Sequence, residues 1–342
     1  MSKLYPLRIT PIYKTSIWGG RKIADFLNRE LPDGNHFAES WDVSNHPAGQ
    51  SVISNGPLKG QLLQDVFESE RSALLGPHSG ENFTRFPLMV KFLDANKQLS
   101  VQVHPNEEYV AKNDLTDAGK AEAWVILDVI PGSQMSLGFK EPITPEKVAN
   151  ALESNSLEDL LFHCEPNPGE CYFLPPGTVH SLGAGIFLYE VQQCSNLTFR
   201  LYDWNRTDEY GRRRELHVKE ALETLRPENW NSEPIVPRLV RQGRELLIDA
   251  EPFCLERLTF TAEKPSHRLD CSKSCRVLTV ISGQLTVPGL EEALQKGDSV
   301  ILPSELGRVT LKSKDAVVLD AFLPQKTGKP KPKTPKPRRT KS

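Results

Sequence analysis

The sequence predicts a mainly β protein in two domains, with a few helices inserted into the first. Three observations predict this: short alternating runs of apolar and polar residues recur along the chain, helical periodicity is confined to four stretches, and 27 prolines and 22 glycines supply many turns. Many short strands separated by turns favour a β-sandwich or a barrel. With 342 residues, of which 38 % are hydrophobic, the chain can form two such domains.

The first predicted domain, residues 1–233, combines strands with helices. Its strand-like runs, each bounded by Gly, Pro, Asn or Asp, are Phe86–Leu93, Gln98–His104, Trp124–Ile130, Glu170–Leu174, Ile186–Gln193 and Leu197–Trp204. Apolar residues at helical spacing predict helices within Leu58–Leu75, Glu107–Lys112, Thr144–Phe162 and Glu215–Leu225.

The second predicted domain, residues 234–324, is entirely β. It follows the passage PENWNSEPIVPRL, whose Pro and Asn content resembles a linker and places the boundary near Pro234. Its strand-like runs are Leu255–Thr261, Ser274–Ile281, Gln284–Val287, Ser299–Leu302 and Val309–Leu311. Residues 325–342 contain KPKPKTPKPRR, in which Lys alternates with Pro, and we expect a disordered tail because this segment has nothing to bury.

An internal repeat narrows the predicted fold. The pattern G-x5-P-x-G-x2-H, which is the spacing of the second cupin motif, is formed by Gly169, Pro175, Gly177 and His180. A degenerate copy retains Gly297 and Pro303 but has Glu305 and Arg308 at the last two positions. The repeat predicts a bicupin, that is, two jelly-roll β-barrel domains, with a working site in the first alone.

The charge distribution excludes some classes of function. The net charge of −2 includes eight Lys or Arg residues after Gln325. Residues 1–324 therefore carry 34 basic and 44 acidic side chains, which gives this body of the protein a net charge of −10. Such a body is unsuited to nucleic acid, whose binding depends on neutralising phosphates. Because there is neither an apolar run of membrane-spanning length nor a signal peptide at the start, we expect a cytoplasmic protein with no membrane partner.

Four strand-like segments carry polar side chains on one face. Alternate side chains of a strand share a face, and the polar sets are Gln98, Ser100, Gln102 and His104; Lys120 and Glu122; Glu190 and Gln192; and Asn196, Thr198, Arg200 and Tyr202. A solvated face would explain any one of them. Together with His180, they indicate a barrel interior lined by polar groups.

Three of these residues have the chemistry of a metal site. His104, Glu122 and His180 supply two imidazoles and a carboxylate, and Gln102 can add a neutral oxygen. Such a set suits a divalent ion and leaves a position open for water or substrate, as catalytic metal sites do.

Four motifs in order, QVHP, GKAEAW, PPGTVHSLGAG and RLYDWNR, resemble the short bacterial form of type I mannose-6-phosphate isomerase, a zinc-dependent bicupin enzyme. The segments KTSIWGGRKI and ESWDVSNH are similar to that family too, and the likeness runs from about Leu4 to Pro324. The resemblance implies one zinc ion per chain, with the ligands Gln102, His104, Glu122 and His180. It also implies that Arg200 is catalytic, with the acid Glu190 nearby and Lys120 beside the metal.

The resemblance implies the interconversion of mannose 6-phosphate and fructose 6-phosphate through an enediolate. Glu190, Lys120 and a metal-bound water are the alternatives for the base, with Glu190 ranked first. Lys91 and Ser100 are candidates for binding the substrate phosphate. Many relatives have Asp four residues before the arginine, whereas this chain has Asn196, which cannot exchange a proton.

Two other functions remain open at this point. Because Asn196 stands where many relatives have Asp, the main alternative is a non-catalytic sugar-phosphate-binding bicupin used as a sensor or regulator. An iron oxygenase is the other, because two histidines and a carboxylate often hold iron in cupins, although Gln102 and Lys120 disfavour it. The sequence does not define an oligomeric state, and no nucleotide-binding motif indicates NAD or ATP.

Overall fold

A computed structural model describes residues 4–34, 36–207, 210–226 and 233–325. Strands hold 39 % of the residues and helices 17 %, which confirms the prediction of a mainly β protein. The predicted tail, apart from Gln325, lies outside the described residues. No helix in the described part of the chain is both long and apolar enough to cross a membrane.

The elements before residue 226 include all the described α-helices. The strands are β1 (Leu7–Thr10), β2 (Ile12–Gly20), β3 (Phe37–Val43), β4 (Asn45–His46), β5 (Gly49–Gln50), β6 (Val52–Ile53), β7 (Leu88–Ala95), β8 (Val101–Val103), β9 (Glu122–Val129), β10 (Met135–Phe139), β11 (Leu161–Cys164), β12 (Cys171–Leu174), β13 (His180–Leu182), β14 (Ile186–Gln193) and β15 (Phe199–Tyr202). The helices are α1 (Lys22–Leu27), α2 (Leu63–Ser69), α3 (Arg71–Leu75), α4 (Glu107–Lys112), α5 (Pro145–Glu153), α6 (Leu157–Leu160) and α7 (Val218–Thr224).

In the described range 233–325, the regular elements are strands and short 3-10 turns. The strands are β16 (Arg238–Arg241), β17 (Arg244–Asp249), β18 (Cys254–Phe260), β19 (Ser266–Asp270), β20 (Arg276–Ser282), β21 (Ser299–Leu302), β22 (Arg308–Lys312) and β23 (Ala316–Phe322).

Two sheets of the first part face each other across an apolar core. One has the strand order β12-β9-β14-β7-β3-β2 and the other β11-β10-β13-β8-β15. Trp124, Ile126 and Leu188 from the six-stranded sheet join Leu137 and Leu182 from the five-stranded sheet in one buried cluster. The side chains between these sheets are therefore shielded from water, and the polar groups described below lie among them.

The six-stranded sheet is apolar on its other face as well, because it packs back to back against a third sheet. That sheet has eight strands in the order β16-β17-β18-β23-β20-β21-β1-β6. Tyr189 and Val191 of β14 share a core cluster with Leu319 and Ala321 of β23. The opposite face of the eight-stranded sheet packs with the strand pair β19-β22 around a second apolar core.

Several elements differ from the sequence-based expectations. The predicted helix over Thr144–Phe162 ends at Glu153 and resumes as the short helix α6, and Leu161 already begins a strand that pairs with β10. Asn155 has a positive φ of 53°, a left-handed conformation that ends helices. The predicted helix over Leu58–Leu75 is likewise two helices, α2 and α3. The predicted strand Gln284–Val287 does not form a continuous strand: Leu285 pairs with Leu294, and Thr286 pairs with Lys312, each through an isolated bridge.

Candidate active site

Three neighbouring strands bring predicted site residues side by side in the five-stranded sheet. His180 of β13 lies opposite Gln102 of β8, and Gln102 lies opposite Arg200 of β15. Glu122 begins β9 in the six-stranded sheet that faces them, and it lies opposite Gln192 of β14. The polar sets read from separate strands therefore converge between the two sheets.

His104, Glu122 and His180 form a buried cluster. The nitrogen Nε2 of His104 is 3.2 Å from Glu122 Oε1, and that of His180 is 3.7 Å from Glu122 Oε2. Ligand atoms of all three residues lie within 4.8 Å of one another, and each residue is at most 2 % exposed. Glu122 Oε2 is buried without a hydrogen-bond partner, so the cluster fits a cation that would bind it.

Two backbone carbonyl groups orient the imidazoles of the cluster. Nδ1 of His104 lies 2.9 Å from the carbonyl oxygen of Leu197, and Nδ1 of His180 lies 2.9 Å from that of Thr178. A carbonyl only accepts, so Nδ1 carries the proton and the Nε2 lone pair is directed at the cluster, as a metal ligand requires.

Electrostatics keep the cluster in the protonation state that a metal ion needs. Burial, reinforced by the charge of Lys120, lowers the pKa of His104 to about 3, and burial lowers the pKa of His180. Burial alone would raise the pKa of Glu122, but Lys120 and the two histidines hold it well below its usual range. At neutral pH the cluster therefore consists of two neutral imidazoles and a carboxylate.

Gln102 and Lys120 complete the surroundings of this cluster. The amide nitrogen of Gln102 is 3.2 Å from His180 Nε2, so this side chain reaches the same centre. The ammonium group of Lys120 is 2.7 Å from Glu122 Oε1 and 3.3 Å from His104 Nε2. All of the predicted ligands and the predicted neighbouring lysine are thus brought together.

Glu190 belongs to an adjacent buried network. Its Oε1 accepts a hydrogen bond of 2.8 Å from the indole N–H of Trp124, and its Oε2 is 3.4 Å from Lys91 Nζ. Lys91 also lies 3.5 Å from Glu39 Oε2, so two carboxylates share this ammonium group. Burial, and next the charge of Glu122, raises the pKa of Glu190 to about 7.

Trp124 and Glu39 are the functional neighbours that the sequence analysis missed. Both lie inside segments quoted there, GKAEAW and ESWDVSNH, but their partners are on other strands. Trp124 contacts Glu190 because β9 and β14 place these residues opposite each other. Such a register between distant strands is not visible in either segment alone.

Arg200 and Ser100 lie beside Gln102, whereas Lys91 belongs to β7 of the six-stranded sheet. The guanidinium of Arg200 donates to the carbonyl oxygen of Glu215 at 2.7 Å, while its Nε is buried without a partner. The hydroxyl of Ser100 is 3.5 Å from Gln102 Oε1. Asn196, the position that departs from the family pattern, is exposed, and its backbone N–H donates to Asp117.

Known proteins of one family are similar to this chain. Residues 6–123 match the family model described as phosphomannose isomerase type I, catalytic domain. The chain is 35 % identical to mannose-6-phosphate isomerase ManA of Bacillus subtilis over 90 % of this chain and 96 % of that protein. It is 31 % identical to mannose-6-phosphate isomerase of Streptococcus mutans over 88 % of this chain and 93 % of that protein.

The structural comparison covers the same length. The crystal structure of the mannose 6-phosphate isomerase from Bacillus subtilis superposes with a TM-score of 0.83 at 29 % identity, covering 93 % of this chain and 99 % of that one. The resemblance read from four short motifs is confirmed over nearly the whole described chain. The chain therefore belongs to the type I phosphomannose isomerase family.

Proposed function

We propose that this protein is a metal-dependent aldose–ketose isomerase that interconverts mannose 6-phosphate and fructose 6-phosphate. The observation that carries the proposal is the buried cluster of His104, Glu122 and His180. On neighbouring strands, Arg200 lies opposite Gln102, and Glu190 lies opposite Trp124. The names of the relatives support the choice of substrate. A cytoplasmic location stays a prediction.

We propose zinc as the metal, one ion per chain, with His104, Glu122, His180 and Gln102 as its ligands. Two imidazoles and a carboxylate are a donor set that zinc takes in catalytic sites, and Gln102 would add its neutral amide oxygen on turning that oxygen towards the cluster. When bound, the metal supplies a Lewis acid that polarises the oxygens on C1 and C2 of the sugar. Lys120 lies against Glu122 and contributes further positive charge at this point.

The remaining steps belong to the side chains around the cluster. Glu190 is the proposed base, which takes the proton from C2 of mannose 6-phosphate and returns it to C1, while the hydroxyl proton on O2 moves to O1. Trp124 and Lys91 hold its two oxygens in place, and a pKa of about 7 suits a base near neutral pH. Arg200 stays charged throughout and stabilises the negative oxygens of the enediolate.

The phosphate contacts predicted from the sequence remain a prediction. Ser100 lies two residues before Gln102, and its hydroxyl is 3.5 Å from Gln102 Oε1. Lys91 contacts two carboxylates in this structure, so its charge is already compensated.

We further propose a bicupin architecture, with domains at residues 1–233 and 234–324. Its support is that two sheets repeat one strand order: β12-β9-β14-β7-β3-β2 corresponds to β21-β20-β23-β18-β17-β16. The leucines that precede the two repeat prolines, Leu174 and Leu302, lie opposite Glu122 and Arg276 respectively. The second copy thus has a guanidinium where the first has a metal-binding carboxylate, which favours one metal site per chain.

A coupled assay for fructose 6-phosphate tests the proposed function. Purified protein loaded with zinc should form fructose 6-phosphate from mannose 6-phosphate, lose this activity on chelation and regain it on reloading. Tight binding of the sugar phosphate without turnover would instead support the non-catalytic alternative. Oxygen uptake with ferrous iron would support the oxygenase.

A further inference from the structure

Gln192 is a buried polar residue that the proposed mechanism does not use. It lies on β14, two residues after Glu190 on the same face, and it is 0 % exposed. On the neighbouring strand β9 it lies opposite Glu122 of the metal cluster. Residues directly opposite each other in an antiparallel pair have Cβ atoms about 5 Å apart on one face of the sheet. Gln192 therefore lies on the face of the six-stranded sheet that carries Glu122 and Glu190.

Two backbone carbonyl groups fix the orientation of the Gln192 amide. Its Nε2 donates to the carbonyl oxygen of Gln193 at 2.9 Å and to that of Ser195 at 2.6 Å. Carbonyl oxygens only accept hydrogen bonds, so the amide nitrogen must be the atom that faces them. Both N–H groups of the amide are thereby used, and Oε1 is the part of the side chain that is left for another partner.

Oε1 of Gln192 is an unused acceptor. It is buried and has no hydrogen-bond partner among the residues that the structure describes. A buried amide oxygen without a donor is destabilising, and native proteins supply a partner for nearly every such atom. Because Oε1 only accepts, its partner must carry an N–H or an O–H. A hydroxyl of a bound sugar and an ordered water are two sources of such a donor.

The adjacent residue Gln193 shows that the unused acceptor is specific to Gln192. Oε1 of Gln193 accepts from the backbone N–H of Ala121 at 3.0 Å, and its Nε2 donates to Glu107 Oε1 at 2.8 Å. Both ends of this second amide are therefore satisfied within the protein. Of the two glutamines, the one with an unused oxygen is the one on the face of the metal cluster.

The position of Gln192 favours the sugar as the donor. Glu122 is 1 % exposed and Glu190 is 2 % exposed, so both are as buried as Gln192. A sugar that reaches the metal ligand and the proposed base must therefore enter the space beside Gln192 as well. With C1 and C2 at the cluster, the next hydroxyl group along the sugar is the one on C3. Mannose 6-phosphate and fructose 6-phosphate carry this hydroxyl in the same configuration, so one acceptor serves both directions of the reaction.

We propose that Oε1 of Gln192 accepts a hydrogen bond from the C3 hydroxyl of the bound sugar phosphate, which makes Gln192 a specificity-determining residue; the inference rests on the proposed isomerase function. A site built to bond a hydroxyl discriminates against an analogue that lacks it, because the buried acceptor is then left unpaired. A neutral amide does not take up a proton, so Gln192 holds the sugar without competing with Glu190 for the proton on C2.

A sugar analogue tests this contact in the zinc-loaded wild type. In 3-deoxy-3-fluoro-mannose 6-phosphate a fluorine replaces the C3 hydroxyl, so the analogue keeps nearly the same size but cannot donate a hydrogen bond there. Its dissociation constant, measured calorimetrically, should be about tenfold higher than that of mannose 6-phosphate. Binding is the readout because the fluorine also changes the acidity of the C2 proton and hence the rate.

Two variants assign the discrimination to one residue. Gln192→Met removes the acceptor and keeps the length of the side chain, so it should bind the two sugars equally well while still holding one zinc ion per chain. Gln193→Met is the matched control, because it removes the same atoms from the adjacent residue. It should keep the preference of the wild type for mannose 6-phosphate.

Equal binding of the two sugars by the wild type would overturn the proposal, because Oε1 would then bond an ordered water in both complexes. So would a Gln192→Met variant that keeps the preference, because another group would then bond the C3 hydroxyl. The wild-type comparison decides even where Gln192→Met does not fold. A wild type that shows the preference but forms no fructose 6-phosphate would refute the proposed function and still support the contact with Gln192.

Discussion

Replacing Trp124 by Phe should move the pH dependence of the isomerisation. The indole N–H of Trp124 donates 2.8 Å to Glu190 Oε1 inside a buried network, and Phe has no donor to replace it. A hydrogen bond to a charged group contributes about 1.5–3 kcal/mol. One pKa unit corresponds to about 1.4 kcal/mol, so losing the bond should raise the pKa of Glu190 by roughly one to two units.

The sign follows from the role of Glu190 as a base. A base works only when it is deprotonated, so a higher pKa shifts the acidic limb of the kcat/KM profile to higher pH by the same amount. Starting from a pKa of about 7, the ionised fraction at pH 7 should fall roughly 5- to 50-fold. Activity should recover as the pH rises above the shifted limb.

The assay is the coupled measurement of fructose 6-phosphate across this pH range, with zinc present throughout. Trp18→Phe is the matched control, because Trp18 belongs to the same buried cluster and the same atoms are removed. It should leave the acidic limb where it is in the wild type. A Trp124→Phe enzyme that is slower at every pH, with an unmoved limb, would refute the assignment of Glu190 as the base.

Three further predictions concern other parts of the molecule. Asp117→Ala should raise the metal dissociation constant about tenfold, measured by competition with a chelator. Asp117 accepts a hydrogen bond from the backbone N–H of Asn196, and the carbonyl oxygen of the next residue, Leu197, orients His104. An unchanged dissociation constant would contradict this prediction. Arg276→Met should lower the free energy of unfolding in urea by about 3–5 kcal/mol, because it leaves the buried carboxylate of Asp320 without its ion-pair partner. The double variant Arg276→Met with Asp320→Leu should recover most of this loss. A double variant as unstable as the single one would argue against the prediction. Deleting residues 326–342 should leave turnover unchanged, and a large loss in the coupled assay would show that the tail takes part.

The predicted metal ligands could be found in the sequence because each rests on a local signal. Gln102 and His104 alternate along one short strand, and His180 ends a motif with fixed Gly and Pro positions. Strand geometry then assigns them to one face without knowledge of the pairing. The structure adds that Glu122 lies between the two imidazoles and that backbone carbonyls orient both.

The contacts that depend on register between distant strands could not be found in this way. Trp124 meets Glu190 across 66 residues of sequence, and Arg206 meets Gln98 across 108. Strand β1 was missed for a related reason, because its partner β21 lies almost at the other end of the chain. Its four residues carry too weak a pattern of their own to identify a strand.

The most direct test of the account combines metal analysis with turnover in the wild type and in His104→Ala. The wild type should hold one zinc ion per chain and convert mannose 6-phosphate to fructose 6-phosphate. His104→Ala should lose both the metal and the activity, because the cluster would be left with one imidazole and one carboxylate. A zinc-loaded wild type that forms no fructose 6-phosphate, or a His104→Ala enzyme that keeps its turnover, would contradict the account.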